Sequence, residues 1–277
     1  MKKVRSTFIS VLFLLAGSVL VVLLLNIFFS ASKEEQQTPE YTPQQIELVG
    51  IGDSLTEGVG DSLASGGYVP RIAELLKEKK EVAEVTTANF GISGNRSDQV
   101  LSRMETNPEI KTAVESADMV VFSVGGNDVI KIFKEELLNV QLDSFKQPLE
   151  VYQENLTTMV QLVHDWNPET EIYIFGIYNP YAIYFPEIEE MQLIVDQWNQ
   201  ATQAIVSELD YTHFVSIDSA FNTEYADSTS STKGSNEVIE NPYLYEEDLF
   251  HPNDAGYSRM AALLLTEMEK AEEFLNQ

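Results

Sequence analysis

Short, uninterrupted apolar runs alternate along most of this chain with longer segments in which apolar residues recur every three to four positions. Runs such as VVFSV and IYIFGI are typical of strands that are covered on both faces, as in a parallel sheet. The alternation predicts an α/β fold, a three-layer α/β/α sandwich around a central five-stranded parallel sheet. The strands are predicted at Ile46–Ile51, Val85–Phe90, Met119–Val124, Ile172–Ile177 and Phe214–Ile217.

Two amphipathic segments give the clearest helical patterns. One runs from Ile188 to Leu209 and the other from Tyr257 to Leu275, near the end of the chain. Strands that alternate with such helices form a doubly wound sheet. In these sheets, ligands bind beyond the carboxyl ends of the strands. The residues that follow each strand are therefore where functional groups are expected.

The N-terminal segment differs from the rest in charge. Residues 8–29 form a run of 22 without charge, preceded by Lys2, Lys3 and Arg5. As a helix, this run would reach about 33 Å, enough to cross a bilayer core. The basic cluster predicts a single-pass anchor in residues 1–30, with the N-terminus inside the cell and the remainder extracytoplasmic. The alternative is a signal peptide whose cleavage would release a secreted protein.

The remaining chain is predicted to be one acidic domain on a linker. Residues 31–45 are polar, contain two prolines and resemble a linker, and 46–277 has the length of a single domain. Beyond Ser30 lie 14 basic and 44 acidic residues, a net charge of −30. This charge argues against a nucleic-acid partner, which needs a basic face.

Two residue counts limit the chemistry. The absence of cysteine excludes a disulfide scaffold, a cysteine nucleophile and Cys-ligated metal sites, and three histidines make a poly-histidine metal centre unexpected. Neither a metal nor an organic cofactor is predicted. The oligomeric state is left open by the sequence.

The first predicted strand leads into Gly50–Gly58, where glycines suggest a nucleotide-binding loop. The dinucleotide-binding spacing would need glycine at position 55, which is Leu55, and a phosphate-binding loop would need a lysine that is absent. What remains is Ser54 at a sharp strand-to-helix turn, a geometry that exposes a hydroxyl near a helix N-terminus. The alternative is that Asp53 and Ser54 only cap a helix.

Two further loops carry groups suited to an oxyanion. Gly94 follows the second strand, where a glycine lets a backbone N–H approach a ligand. Asn127 follows the third strand, and its side-chain N–H is a suitable oxyanion donor. Taken alone, each loop is also compatible with an ordinary turn.

A histidine precedes the last helix. His251 has Asp248 three residues before it, a carboxylate that can fix the tautomer of the ring. Asp254 is a rival partner, although with Asn253 it is better placed to cap the helix. His164 and His213 are interpreted as surface or packed residues.

Together these loops resemble the SGNH, or GDSL, hydrolase family of serine esterases and lipases. The matching residues are Gly52-Asp53-Ser54-Leu55, Gly94, Gly125-Gly126-Asn127-Asp128 and Asp248-Leu249-Phe250-His251-Pro252. The resemblance spans about residues 46–275 and implies a flavodoxin-like sandwich without a cofactor. It implies that Ser54 is the nucleophile, His251 the base and Asp248 the orienting acid. The implied oxyanion donors are the Ser54 and Gly94 N–H groups and the Asn127 side chain.

The substrate is less constrained. The resemblance is nearest to lysophospholipase-like acylhydrolases, which predicts a small-molecule or lipid ester. The alternatives are a carbohydrate acetylesterase acting on cell-surface glycans and an inactive, anchored binding module. Residues 218–247 form a long polar stretch of the kind found as lids or disordered segments. The candidate substrate-binding residues are Tyr181, Tyr184, Tyr243 and Tyr245.

Overall fold

The computed structural model describes residues 17–23, 25, 43–64, 66–136, 141–185, 188–222 and 241–271. The chain divides into two units, Met1–Thr42 and Pro43–Gln277. Residues 17–23 and 25 of the first unit are helical and exposed. In the described part of the chain, no helix combines the length and the apolar character that a membrane span requires. Most of the predicted anchor and the predicted linker up to residue 42 lie outside the described residues.

A five-stranded, fully parallel sheet organises the second unit. Its spatial order is β2-β1-β3-β4-β5, so the chain reverses direction across the sheet after β2. This reversal places β1 and β3 at the topological switch point, where parallel sheets open a crevice. The predicted fold class is confirmed. The strands are β1 Gln44–Gly52, β2 Val82–Gly91, β3 Met119–Ser123, β4 Glu171–Phe175 and β5 Thr212–Val215.

Helices cover both faces of the sheet because successive side chains of each buried strand point to opposite sides. In β3, Met119 and Val121 pack with one apolar cluster, whereas Val120 and Phe122 pack with the other. The first cluster includes α2 and α8, and the second includes α3, α4, α5, α6 and α7. The helices are α1 Ser54–Glu57, α2 Tyr68–Lys77, α3 Ser97–Thr106, α4 Pro108–Glu115, α5 Gly126–Glu136, α6 Lys146–Trp166, α7 Glu189–Val206 and α8 Asp254–Lys270, with a 3₁₀ turn at Leu142–Phe145.

The ends of several elements differ from the prediction. β1 begins at Gln44, inside the predicted linker, because the Gln44 N–H donates to Glu81 O at 2.8 Å and pairs the backbone with β2. This pairing does not depend on side-chain polarity, which was the signal for a linker. β4 ends before Ile177, because the side chain of Asn199 on α7 takes over both backbone groups of Ile177, at 2.8 and 2.9 Å. Residues 272–277, at the end of the predicted last helix, are outside the described residues.

Candidate active site

The turn after β1 is held tightly against β3. A Cβ on Gly52 would lie 2.3 Å from Ser123 O, so this position has no room for a side chain. The Asp53 N–H then donates to Ser123 O at 3.1 Å, and the Asp53 carboxylate caps α1 by accepting from Leu55 N–H at 3.0 Å. Ser54 is therefore the first residue of a short helix at the carboxyl end of β1. Asp53, and not Ser54, is the cap.

A buried hydrogen-bond network fixes the Asp53 carboxylate. Ser123 Oγ donates to it at 2.9 Å, and Thr56 Oγ1 lies 2.6 Å from Ser123 Oγ and 2.9 Å from the Tyr68 hydroxyl. Burial raises the pKa of Asp53 from 3.8 to about 6, although the bonds from Leu55 and Ser123 oppose the shift. The carboxylate is thus held in place at an electrostatic cost.

Asn127 connects the three loops that follow β1, β2 and β3. Its Nδ2 atom donates to Asn95 O at 3.0 Å and lies 3.4 Å from Asp53 Oδ2. The loop after β2 is joined to β1 through Ile92 N–H, which donates to Gly52 O at 3.1 Å. Gly94, in the same loop, has a φ of +78°, in the left-handed region that favours glycine. The structure therefore brings the predicted loops of Ser54, Gly94 and Asn127 to one edge of the sheet.

Arg103 on α3 is a residue of this edge that sequence reasoning missed. Its guanidinium donates to Phe90 O at 2.9 Å and to Gly52 O at 2.8 Å, carbonyls at the ends of β2 and β1. Partial burial lowers the pKa of Arg103, and the negative charge of Asp53 opposes that shift. An amphipathic helix normally carries arginine on its exposed face, so the sequence pattern gave no signal for this contact.

The loop before α8 is folded around Asp248. Its Oδ1 atom accepts from the Phe250 and His251 N–H groups at 2.9 and 3.0 Å, and its Oδ2 atom lies 2.6 Å from His251 Nδ1. Partial burial disfavours the charged carboxylate, but these hydrogen bonds outweigh it and lower the pKa of Asp248. Leu249 completes the turn with a φ of +53°, in the left-handed region. The predicted Asp248–His251 pair is therefore present in the structure.

The segment that follows Ser54 packs against the segment that carries His251. A Cβ on Gly60 would lie 2.5 Å from Pro252 O and 3.4 Å from His251 Cβ, so the two backbones are in close contact. On α8, the Tyr257 hydroxyl donates to Val59 O at 2.6 Å. Residues separated by about 200 positions in sequence are thereby neighbours at the site.

A cleft opens beside Ser54. Its volume is about 750 Å³ when the adjoining space that is open to solvent is included. Asp53 is the one charged residue among the described residues that line it, and most of its wall is apolar. The wall comes from one face of α5, one face of α7 and the loop after β4. The apolar and aromatic side chains are Leu55, Val124, Val129, Ile130, Phe133, Ile177, Tyr178, Pro180, Tyr181, Met191, Val195 and Phe250.

The four tyrosines predicted to bind substrate have different surroundings. Tyr181 lines the cleft. Tyr184 packs on the core, and its hydroxyl accepts from Asn241 N–H at 3.3 Å. Tyr243 packs on the same cluster, and the backbone N–H of Tyr245 donates to His251 O at 2.7 Å. Of the stretch 218–247, residues 223–240 are outside the described residues, so the suggested lid stays a prediction.

Among the remaining polar candidates, His213, Asn253 and Asp254 have structural partners. His213 lies 2.7 Å from Glu171 and stacks on Tyr173, within the sheet. His164 lies on α6. Asn253 caps α8 through Gly256 N–H at 3.0 Å, whereas Asp254 contacts Ser62 and Arg71. Asp254 therefore bonds to these other residues, and Asp248 is the carboxylate that contacts the His251 ring.

The sequence profile of the GDSL-like Lipase/Acylhydrolase family matches residues 51–259. This chain belongs to the GDSL-like lipase/acylhydrolase family. The match spans every loop described above, from Asp53-Ser54 to Asp248–His251. It confirms the predicted resemblance and makes the protein a serine ester hydrolase.

Two relatives align with nearly their whole length. An uncharacterized protein of Bacillus subtilis, YpmR, is 28% identical over 258 residues, which cover 93% of this chain and 95% of the relative. The spore germination lipase LipC of Bacillus licheniformis is 27% identical over 225 residues, which cover 79% of this chain and 94% of the relative.

Solved structures share the fold of this GDSL-like hydrolase. The lipase Lip_vut3 from a goat rumen metagenome has a TM-score of 0.66 at 21% identity, covering 80% of this chain and 97% of its own. A catalytic mutant of Axe2, an acetylxylan esterase from Geobacillus stearothermophilus, has a TM-score of 0.59 at 24% identity, covering 82% and 96%. At these identities the likeness concerns the fold alone.

The raised pKa of Asp53 predicts a pH-dependent gain in stability from Asp53→Asn. In the wild type, the folded state holds this proton more tightly than the unfolded chain, so the free energy of unfolding falls as pH rises from about 4 to about 6. A shift of about two pKa units corresponds to about 3 kcal/mol. The stability of Asp53→Asn relative to wild type should therefore increase by up to that amount between pH 4 and pH 7.

Urea unfolding at the two pH values measures this difference. Asp165→Asn, which replaces an exposed carboxylate on α6, is the matched control and should show no such increase. A stability difference for Asp53→Asn that is the same at both pH values would contradict the electrostatic account of this residue.

Proposed function

We propose that this protein hydrolyses carboxylic esters with a medium or long acyl chain, using Ser54 as nucleophile, His251 as base and Asp248 as orienting acid. The observation that carries the proposal is the position of Ser54. It lies just after β1, on the wall of an apolar cleft, and the segment after it packs against the loop of the Asp248–His251 pair.

The proposed chemistry follows from these groups. His251 Nε2 takes the proton of Ser54 Oγ as the oxygen attacks the ester carbonyl. Asp248 stays ionised and accepts a hydrogen bond of 2.6 Å from His251 Nδ1–H, which fixes the tautomer and stabilises the imidazolium. His251 then protonates the leaving alcohol as the tetrahedral intermediate collapses. Water, deprotonated by His251, attacks the acyl-enzyme and releases the carboxylic acid and free Ser54.

The oxyanion of the intermediate would be held by the Ser54 and Gly94 N–H groups and by Asn127 Nδ2. One hydrogen of the Asn127 amide is engaged by Asn95 O at 3.0 Å, which fixes the orientation of the side chain. The other contact, to Asp53, is long at 3.4 Å. The second N–H can therefore exchange this weak hydrogen bond for one to the oxyanion. Loss of one such donor typically costs about 2.7–4 kcal/mol in the transition state.

The apolar cleft favours esters of longer carboxylic acids over esters of acetic acid. Its walls on α5 and α7 present Ile130, Phe133 and Met191, side chains that gain free energy by covering methylene groups. An acetyl group would leave this surface in contact with water. The fold likeness to an acetylxylan esterase keeps carbohydrate acetylesterase as the second candidate.

We also propose that the protein is tethered to the cell membrane by residues 8–29, with the hydrolase domain on the extracytoplasmic side. The support is the sequence itself, 22 residues without charge after a basic cluster. Because the remainder carries a net charge of −30, it would be repelled by an anionic membrane, and the tether would keep it close to lipid esters. Secretion after signal cleavage is the alternative.

Replacement of the nucleophile tests the reaction. Ser54→Ala should reduce hydrolysis of p-nitrophenyl octanoate by several orders of magnitude, because no other group would form the acyl-enzyme. The wild type, but not Ser54→Ala, should be labelled by a fluorophosphonate probe. Ser116→Ala, at the exposed end of α4, is the matched control and should keep full activity. Undiminished turnover by folded Ser54→Ala would refute the proposal.

Narrowing of the cleft tests the substrate class. Ile130→Trp should lower kcat/KM for the octanoate ester about tenfold or more, with a much smaller effect on the acetate ester, because a filled pocket rejects added methylenes. Lys131→Trp, the exposed neighbour on α5, should leave the chain-length profile unchanged. A wild-type enzyme that prefers acetate, with the Ile130→Trp variant unaffected, would favour the carbohydrate acetylesterase.

A further inference from the structure

A charged cluster, buried at its centre, lies between the loop that follows α1 and the first residue of α8. At its centre is Asp61, which is 8% exposed. Both nitrogens of the Arg71 fork donate to Asp61, each at 3.0 Å, one to each carboxylate oxygen. The backbone N–H groups of Gly67 and Leu63 donate to the same carboxylate at 3.1 and 3.2 Å. The loop after the Ser54 turn is thus folded around one carboxylate, and Arg71 neutralises it.

Arg71 extends this cluster to the helix that follows His251. Its Nη2 atom also donates to Asp254 Oδ1 at 3.2 Å, and the Ser62 N–H donates to that oxygen at 3.0 Å. Ser62 Oγ donates to the other oxygen of Asp254. Asp254 is the first residue of α8 and stands three residues after His251. The Asp61–Arg71–Asp254 cluster therefore joins the nucleophile segment to the base segment.

The rest of this junction is consistent with a fixed spacing. The Arg71 guanidinium lies 5.8 Å from the centre of the Tyr257 ring, and the Tyr257 hydroxyl donates to Val59 O. Gly60 meets Pro252 and His251 without space for a methyl group. By contrast, residues 246–249 of the base loop are exposed. The backbone of His251 is also held by the Tyr245 N–H, which donates to His251 O at 2.7 Å, but the contacts at this junction are the ones that join the His251 segment to the Ser54 segment.

We infer that Arg71 and Asp254 are positioning residues, which set the place of His251 relative to Ser54 without touching the substrate. The inference rests on the proposed roles of Ser54 and His251. A displacement of about 1 Å between reacting groups can lower a rate about a hundredfold. Loss of the Arg71 and Asp254 contacts should therefore lower kcat more than it weakens substrate binding. A merely structural cluster would change the fraction of folded protein and leave kcat per folded molecule unchanged.

The test uses three variants of the full chain. Asp254→Ala removes the acceptor for Arg71 and Ser62 but leaves the Asp61–Arg71 pair, and its side chain is 46% exposed, so folding should be retained. Asp254→Asn keeps an acceptor oxygen. Arg71→Lys keeps the charge but loses the fork that reaches both carboxylates. Glu74→Gln, which breaks an exposed ion pair with Lys77 on α2, is the control.

The expected result for Asp254→Ala and Arg71→Lys is a fall in kcat of about tenfold, within the range for small misplacements, with KM changed by less than about twofold. Fluorophosphonate labelling of Ser54 should slow in parallel, and urea unfolding should confirm that both variants are folded. Asp254→Asn should recover most of kcat, and Glu74→Gln should match the wild type.

Two outcomes would overturn the inference and are distinguishable from failure of the proposed function. Unchanged kcat per folded molecule in Asp254→Ala and Arg71→Lys would make the cluster structural only. A rise in KM without a fall in kcat would assign it to substrate binding. If wild-type Ser54 is not labelled, or Ser54→Ala retains turnover, the proposed function fails first and the inference with it.

Discussion

The site depends on the close approach of the β1 and β3 backbones at Gly52. No side chain fits there, because a Cβ would overlap Ser123 O. In the observed register, Gly52 stands beside Gly91 of β2 and Ser123 of β3, so the three strands end at one level. Their loops therefore start from adjacent points, and Ser54, the Gly94 loop and Asn127 converge without long connections. A side chain at Gly52 would separate these loops before any catalytic group was changed.

The cost of this arrangement is concentrated in Asp53. Its carboxylate is buried at the edge of an apolar sheet, and the hydrogen bonds from Leu55 and Ser123 offset only part of the desolvation, which leaves its pKa near 6. In return, the same carboxylate caps α1 and borders the Asn127 amide. The buried carboxylate of Asp53 thus lowers the stability of the fold at the place where it fixes the geometry of the site, as is common at functional positions.

Much of the fold and of the site was predictable because the signals were local. The consecutive apolar residues of β3 and β4 predicted buried parallel strands, and the three-residue spacing of Asp248 and His251 predicted their contact. The Arg71–Asp254 contact joins residues 183 positions apart, and no pattern in either segment indicates the other. Phe133 and Met191 were missed for another reason. The face of an amphipathic helix that lines a cleft has the same periodicity as one that packs on a core.

The cleft wall and the chemical groups come from different parts of the chain. α5 and α7 supply much of the apolar surface, whereas Ser54 begins the short α1, and Gly94, Asp248 and His251 lie on loops after β2 and before α8. Asn127, in the first turn of α5, is where the two sets meet. Under the proposed function, substitutions on the cleft faces of these two helices would alter acyl preference and leave the proposed catalytic residues unchanged. This division would allow related proteins to diverge in acyl specificity while they keep the same proposed catalytic residues.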